Sequence, residues 1–469
     1  MDPIFYFSFF FKTICRSAQQ DLLHVFEAAT RPRREQTTIA MDTMEQQPGY
    51  RQTLKRVQWI EKSFSVVRVV EGLTNKHSFE PDHLPPAKRD PSLTIKDMGG
   101  KVECLERLHS ILLPSIKHQL TLLLNSLDLI DPSRNPEPVT DQILEILSNL
   151  DRSLESTVSA TVSITLEPPV PDEKHDHGLE NLKGFRCANI RRKIQFFLGR
   201  LIYDRLFRDV LTSYIQWCAI ANFGVEDDSV LKEGSDLRKR IKIVIAYSQT
   251  IINETIKWCR NSDWAIIQES WLEASEIYDE ALEIFTSQTN PTIQSTWEAD
   301  HPNDNNIQRD VDRAMLVEVA NSAIPPVKLG RILVKKTSGK ISKKRLSTLG
   351  TTPELNSEKI KQLYETPQSI IRLKELAALL KLLNYHTVVI DLDDQSQFRD
   401  IVQELPRKME STITILDSCL IPFLDSTKDH DSLETHLKSC LMDLKHSWDK
   451  ASDQLMDVIL SFEVEQMAI

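Results

Sequence analysis

The sequence predicts an all-α protein with about ten helices in one or two elongated antiparallel bundles. Two observations carry this prediction. The 469 residues contain only 12 glycines, well under the roughly 7% of an average protein, which argues against glycine-rich nucleotide folds and turn-dense β architectures. Apolar residues also recur every three or four positions through most of the chain, and this spacing places them on one face of a helix.

The first 40 residues are not expected to belong to the folded protein. Their aromatic run, from Ile4 to Phe11, is far shorter than the roughly 18 residues needed to span a bilayer, and no basic residues precede it as in a secretory signal. We expect residues 1–40 to be a disordered leader or an over-extended start, and the fold to begin near Met41.

Residues 41–166 are predicted to form an N-terminal helical bundle. Pro114 is expected to kink or split the second of its helices, because proline lacks the N–H that a helix interior needs. Residues 167–184 (EPPVPDEKHDHGLENLKG) are rich in proline and polar residues and are interpreted as a linker. The predicted helices of the bundle cover residues 50–73, 102–130 and 140–164.

Residues 185–336 are predicted to form a central bundle. Its first hundred residues are three long apolar-periodic segments without proline, and the third has apolar residues alternately three and four positions apart, as in a seam against a partner helix. A further helix over 307–323 is expected to end at Pro325 and Pro326. The predicted seam consists of Trp264, Ile267, Trp271, Ala274, Tyr278, Ala281 and Phe285.

The remainder of the chain is predicted to be a basic loop at 337–356 followed by C-terminal helices at 357–469 that pack on the central bundle. Helices are expected over 357–365 and 368–383, and a long one closes the chain. A strand competes with a helix only in the segment Tyr385–Asp394.

Charge is arranged in blocks along the second half of the chain. The net charge of -11 and the pI of about 5.6 do not favour nucleic-acid or membrane binding by the molecule as a whole. Lys and Arg outnumber Asp and Glu by 14 to 8 in residues 185–260 and by 9 to 1 in residues 313–345, whereas residues 261–312 have 1 against 12. We expect these blocks to neutralise one another when the helices pack.

The basic block contains a run of eight cations without an acid or an aromatic residue among them. Such a run is typical of a nuclear-import signal, a phosphate-binding patch or an anionic-membrane patch. It is the site that we predict, for nucleic acid or anionic lipid. The eight residues of this basic patch are Lys328, Arg331, Lys335, Lys336, Lys340, Lys343, Lys344 and Arg345.

Two other groups of residues have a chemical interpretation. Val388–Asp393 resembles the first motif of haloacid-dehalogenase-type phosphatases, which implies Asp391 as nucleophile and Asp393 as acid/base beside magnesium. The remaining chain, however, reads as helices without the further strands of that family. Metal ligands are available in the predicted linker, although His-x-His in a polar linker is usually solvated. These ligands are Asp172, Glu173, His175, Asp176 and His177.

No nucleotide, zinc-protease or serine-hydrolase motif occurs, so we predict no catalytic residue, metal or cofactor. The seven cysteines are scattered without a CxxC pair. This distribution is typical of buried thiols in a reducing compartment.

Two segments carry a family resemblance. Asn189–Leu211 (NIRRKIQFFLGRLIYDRLFRDVL) and Ile324–Lys336 (IPPVKLGRILVKK) resemble parts of a group of uncharacterised fungal all-helical proteins. They are also distantly similar to the cyclin-D-interacting helical-bundle family. The resemblance implies an all-helical interaction protein without catalytic residues.

The sequence therefore predicts a non-enzymatic intracellular helical-bundle protein, cytoplasmic or nuclear, that binds other proteins through its helix seams as an interaction or scaffold module. One alternative is a nuclear or anionic-ligand-binding regulator that acts through the basic patch. A second is a magnesium-dependent phosphohydrolase that uses Asp391 and Asp393.

Overall fold

The computed structural model describes residues 48–76, 89–129, 138–221, 228–289, 307–347, 355–386, 392–424 and 431–467. The described chain is almost entirely helical, and the all-α prediction is confirmed. In its first half the elements are α1 Pro48–Lys76, β1 Arg89–Asp90, α2 Gly99–Arg107, a π turn at Leu108–Leu112, α3 Leu113–Ser126, α4 Thr140–Thr165, β2 Val170–Pro171, a 3-10 turn at Glu180–Leu182, α5 Gly184–Gln195, a π-helical stretch at Phe196–Leu211, and α6 Thr212–Ala221.

The second half is helical throughout its described residues. Its elements are α7 Asp228–Arg260, α8 Asp263–Gln288, α9 Ile307–Ser347, α10 Ser357–Ile370, α11 Arg372–His386, α12 Leu392–Gln403, α13 Leu405–Ile415, a π turn at Leu416–Leu420, α14 Ile421–Leu424 and α15 Asp431–Met467. The predicted leader at residues 1–40 lies outside the described residues.

The chain divides into two compact units, each assembled from separate segments. Unit 1 comprises Met1–Pro85, Glu103–Ser163 and Arg191–Ile256, and unit 2 comprises Pro86–Val102, Ile164–Ile190 and Lys257–Ile469. Each unit is therefore held together by contacts between residues that are far apart in sequence. The domain limits predicted from the sequence stay a prediction.

In unit 1 the helices α3 and α4 and the π-helical stretch each bury aliphatic side chains. Leu120, Leu147 and Leu206 are fully buried there. The Tyr214 hydroxyl in α6 donates to the Leu127 carbonyl at 2.8 Å, which satisfies its polar end inside the core. Burial of these side chains provides the main stabilisation of the unit.

Unit 2 is built around the seam of α8, and all seven seam residues predicted from the sequence are buried. The Trp271 indole N–H donates to the Leu363 carbonyl in α10 at 2.9 Å. The Ser270 hydroxyl donates to the Tyr364 carbonyl at 2.7 Å. These bonds fix α10 against α8, because each satisfies a polar group that is out of contact with water.

Two of the three π-helical segments in the described chain differ in how far the sequence predicts them. The π turn at Leu108–Leu112 ends two residues before Pro114, where the sequence predicts a kink or break, and a proline lacks the N–H that a regular helix needs there. The longer π-helical stretch at Phe196–Leu211 was not predicted. At its end the N–H of Thr212 bonds to the Phe207 carbonyl, five residues back, as the wider π turn requires.

The prediction that Pro325 and Pro326 end a helix is wrong. The single helix α9 runs from Ile307 to Ser347 through both prolines. The predicted basic loop at 337–356 is wrong over residues 337–347 for the same reason. Ala323 and Val327 are fully buried on the two sides of the prolines, so tertiary packing outweighs the cost of proline in a helix.

The segment 167–184 is less solvated than its interpretation as a linker implies. β2 pairs in parallel with β1, and Asp176 is 1% exposed. No helix in the described part of the chain is long and apolar enough to cross a membrane.

Candidate interaction surface

The helices α8 and α9 of unit 2 approach each other closely at Gly330. A Cβ atom on Gly330 would lie 2.5 Å from the ring and hydroxyl of Tyr278, which is nearer than side-chain atoms normally come. Glycine is therefore needed at this position for the two helices to pack at this distance.

Next to this contact, Asp279 of α8 pairs with two cations of α9. Its carboxylate bonds to the guanidinium of Arg331 and lies 3.5 Å from Nζ of Lys335. All three side chains are between 38% and 48% exposed, so the pairs orient the helices more than they stabilise them. They are the kind of contact expected between the acidic block and the basic block.

An open groove of about 430 Å³ lies along this side of α9. Its apolar surface comes from Leu282 of α8 and from Ile332 of α9, which is 45% exposed. The cationic side chains that line it are Lys328, Arg331, Lys335 and Lys336. We call it the basic groove.

Lys328, Ile332 and Lys336 lie four residues apart, so they form one row along α9 with the apolar side chain between two ammonium groups. The row is about 12 Å long at the rise of an α-helix. Lys336 donates to Sγ of Cys440 at 2.9 Å. An ammonium has three donors, so two remain for a ligand.

The structure brings together four of the eight predicted patch residues. Lys340 is half-buried and does not line the groove. The other three, Lys343, Lys344 and Arg345, lie on the last turns of α9, and their side chains are outside the described part. The described residues of the basic patch thus lie on a helix, α9, and not in a loop.

Two family models match this chain. Residues 101–260 match a family described as Domain of unknown function (DUF8723), and residues 262–457 match another described as Domain of unknown function (DUF8721). No curated protein matches the chain. The basic groove lies wholly within the second matched region, and the two regions meet in the turn between α7 and α8.

That turn is held by a buried cluster that sequence reasoning missed. Asp263, at the start of α8, accepts from Lys183 at 2.6 Å and from Arg186 at 2.9 Å. The two cations are 2% and 1% exposed. Arg186 also donates to the carbonyls of Trp258 and Asn261, at 2.9 and 2.7 Å, and so satisfies the C-terminal end of α7.

The buried carboxylate of Asp176 connects α5 with α10. Its oxygens accept from the Ser357 hydroxyl at 2.5 Å and from the backbone N–H groups of Ser357 and Gly184, both at 2.8 Å. Burial raises the pKa of Asp176 above its usual value, and the hydrogen bonds partly oppose this shift. With three donors aimed at it, the carboxylate has a structural role.

The other residues of this segment that could ligate a metal do not gather around a common point. His175 contacts Asp172 at 3.2 Å, and the pKa of Asp172 is lowered by hydrogen bonds from the Lys174 backbone N–H and from His175. Among the described residues, no group of three or more His, Cys, Asp or Glu side chains is placed to hold a metal ion.

The acidic pair of the phosphatase-like motif is only partly described. Asp391 lies outside the described residues, whereas Asp393 lies in the first turn of α12. Residues 387–391, where the motif would place its strand, lie outside the described part of the chain. The magnesium-phosphohydrolase alternative therefore stays a prediction.

The face of α8 opposite its seam is acidic. Leu272 is 47% exposed, with the exposed Glu269 three residues before it and the exposed Glu276 four residues after it. Glu269 contacts Lys257 at 2.6 Å, in a pair of which both side chains are at least half exposed. We call Glu269, Leu272 and Glu276 the acidic face.

Proposed function

We propose that this protein is a non-enzymatic interaction module whose basic groove receives an acidic amphipathic helix of a partner protein. The observation that carries the proposal is the row in which the exposed Ile332 lies between Lys328 and Lys336. A helix with an apolar residue between two acids, each one turn away, complements this row in shape and charge.

The apolar surface favours a helix over a free anion. Phosphate or nucleic-acid backbone would contact the ammonium groups but would leave Ile332 and Leu282 facing water. Asp279 already neutralises part of the charge of Arg331 and Lys335. The positive charge that remains in the groove suits carboxylates at spaced positions better than a dense run of phosphates.

The family resemblance supports the same proposal. The segment Ile324–Lys336, which is similar to the cyclin-D-interacting helical-bundle family, includes every α9 residue that lines the basic groove. We propose that the protein acts in the cytoplasm or the nucleus, where soluble partners with acidic helices are available to it.

Photo-crosslinking in the native cell tests the proposal. A benzophenone amino acid replaces Ile332 in one variant and Leu382 in a control; Leu382 is a comparably exposed residue, at 52%, on α11. We expect adducts specific to position 332 whose crosslinked peptide lies in a helix with acids on both sides of an apolar residue. Lys328→Glu with Lys336→Glu should abolish them while circular dichroism stays unchanged.

Three outcomes would contradict the proposal. They are the same adducts at position 332 as at position 382, crosslinked peptides that are basic or uncharged, and equal capture of the same partner by the charge-reversed groove. Adducts to nucleic acid or lipid instead of protein would favour the anionic-ligand regulator.

A further inference from the structure

The acidic face of α8 is itself a segment of the kind that the basic groove requires. Leu272 has a glutamate on each side, and the span from Glu269 to Glu276 is about 10.5 Å along the helix, against about 12 Å for the row from Lys328 to Lys336. Both rows have one exposed aliphatic residue between two like charges, and the signs of the charges are opposite.

The acidic face cannot reach the groove of its own chain. Successive residues are about 100° apart around a helix, so Leu272 lies about 120° and Glu269 about 180° from Tyr278. Tyr278 is the residue that α8 presents to Gly330 of α9. The acidic face therefore points away from the α8–α9 contact beside which the groove lies.

We propose that copies of this chain associate head to tail, with the acidic face of one copy in the basic groove of the next. This inference rests on the proposed function and names the occupant of the groove. Leu272 packs against Ile332, while Glu269 and Glu276 pair with the two lysines. Charge complementarity fixes the register, because a shift by one turn would leave the leucine facing an ammonium group.

The contact is small and the association is accordingly weak. Two helical turns on each side bury less than the roughly 1,200 Å² of a standard stable interface. Glu269 must also exchange Lys257 for a lysine of the next copy. That exchange costs little, since the pair within the chain is solvent-exposed.

The two surfaces that meet are different, so the interface is heterologous. An open assembly has a free groove at one end and a free acidic face at the other unless a ring closes, so chains longer than two copies are expected. A heterologous interface makes a distinctive prediction for mixtures of variants, because each variant can lose one surface and keep the other.

Sedimentation velocity from about 10 to 500 µM tests the inference, a range chosen for a weak interface. The groove variant is Lys328→Glu with Lys336→Glu, and the face variant is Glu269→Lys with Glu276→Lys. We expect the wild type to form dimers and larger species as its concentration rises, and each variant alone to remain monomeric. An equimolar mixture of the two variants should associate again into dimers and longer alternating chains, because the intact face fits the intact groove and the reversed face fits the reversed groove.

Two further proteins complete the design. The exchange of all four charges in one chain should restore association with the signs reversed. The control, Lys374→Glu with Lys381→Glu, changes the net charge as much as the groove variant does, on exposed positions of α11, and should associate like the wild type. Circular dichroism verifies that each variant is folded.

A wild type that stays monomeric throughout, a mixture that gives no dimers, or a groove variant that associates like the control would overturn the head-to-tail inference. The proposed function fails separately. If the wild type is monomeric and Ile332 still crosslinks to an acidic helix of another protein, the groove is a receptor for that protein and only the self-association is wrong.

Discussion

Gly330 is the residue that sets the distance between α8 and α9. We predict that Gly330→Ala lowers the free energy of unfolding by about 1 to 3 kcal/mol, because its methyl group would overlap the buried ring of Tyr278. Gly339→Ala is the matched control in the same helix: nothing lies within 4 Å of its added Cβ. That change should stabilise by about 0.5 to 1 kcal/mol. Equal urea midpoints for the two variants would contradict this account.

Asp263 pairs with both buried cations, Lys183 and Arg186. Asp263→Ala should cost about 3 to 5 kcal/mol, because it removes a carboxylate that bonds to two buried charges. Arg208→Ala, which breaks an exposed pair with Asp204, should cost less than about 1 kcal/mol. Chemical denaturation measures the free energy of unfolding of both variants. A decrease for Asp263→Ala as small as that for Arg208→Ala would mean that water reaches the cluster.

These contacts could not be predicted from the sequence, because the residues that form them are far apart along the chain. Arg186 and Asp263 are 77 positions apart, and Asp176 and Ser357 are 181 positions apart. Helical periodicity identifies which face of an element is apolar. It carries no information about which charged residue of a distant segment faces a given carboxylate, so Asp176 was expected to be solvated and is buried.

At the scale of one element, the seam of α8 was predictable because pattern and burial agree at all seven of its positions. We predict that Trp271→Ala costs about 3 to 5 kcal/mol, since the side chain is fully buried and its loss also leaves the Leu363 carbonyl without its donor. Leu272→Ala, one residue further along, should cost under about 1 kcal/mol at low protein concentration because Leu272 is half exposed. A similar decrease in melting temperature for both variants would contradict the assignment of Trp271 to the buried seam.

In the helix α9 the local sequence signal was misleading, because tertiary packing outweighs the effect of its two prolines. A proline pair is a strong helix-ending signal, but that signal describes only the backbone of the segment itself. Buried residues continue at helical spacing on both sides of the pair, with Val319 and Ala323 before it and Val327 and Val334 after it. Once this face packs, one continuous helix buries more apolar surface than two shorter ones would. The basic groove, which lies after the prolines, consequently stands on a regular helical face.

For the whole molecule, the sequence predicted charge complementarity but not which segments share a unit. The blocks at 261–312 and 313–345 meet in unit 2, where Asp279 contacts Arg331. Unit 2 also takes Pro86–Val102 and Ile164–Ile190, far from the rest of it in sequence. Such assembly depends on long-range packing, and neither composition nor linker-like segments reveal it.

Buried ionisable groups make the stability of the whole molecule sensitive to alkaline pH. Burial raises the pKa of Cys187 and of Cys259 to about 12, from a reference value of 9.0. Burial also raises the pKa of Tyr278 well above its usual range. All three groups stay protonated in the folded chain at a pH where they ionise in the unfolded chain.

We therefore predict that the free energy of unfolding falls as the pH rises from about 9 to 12, and that this contribution is fully present below pH 9. The sign follows from linkage: above pH 9 the folded state holds more protons than the unfolded state, so removing protons favours unfolding. Each such group contributes a slope of up to about 1.4 kcal/mol per pH unit. Urea denaturation at pH 7, 9 and 10.5 measures this pH dependence. Cys187→Ala should make the decrease in the free energy of unfolding between pH 9 and pH 10.5 smaller. A stability that is constant over this range would show that water reaches the thiols.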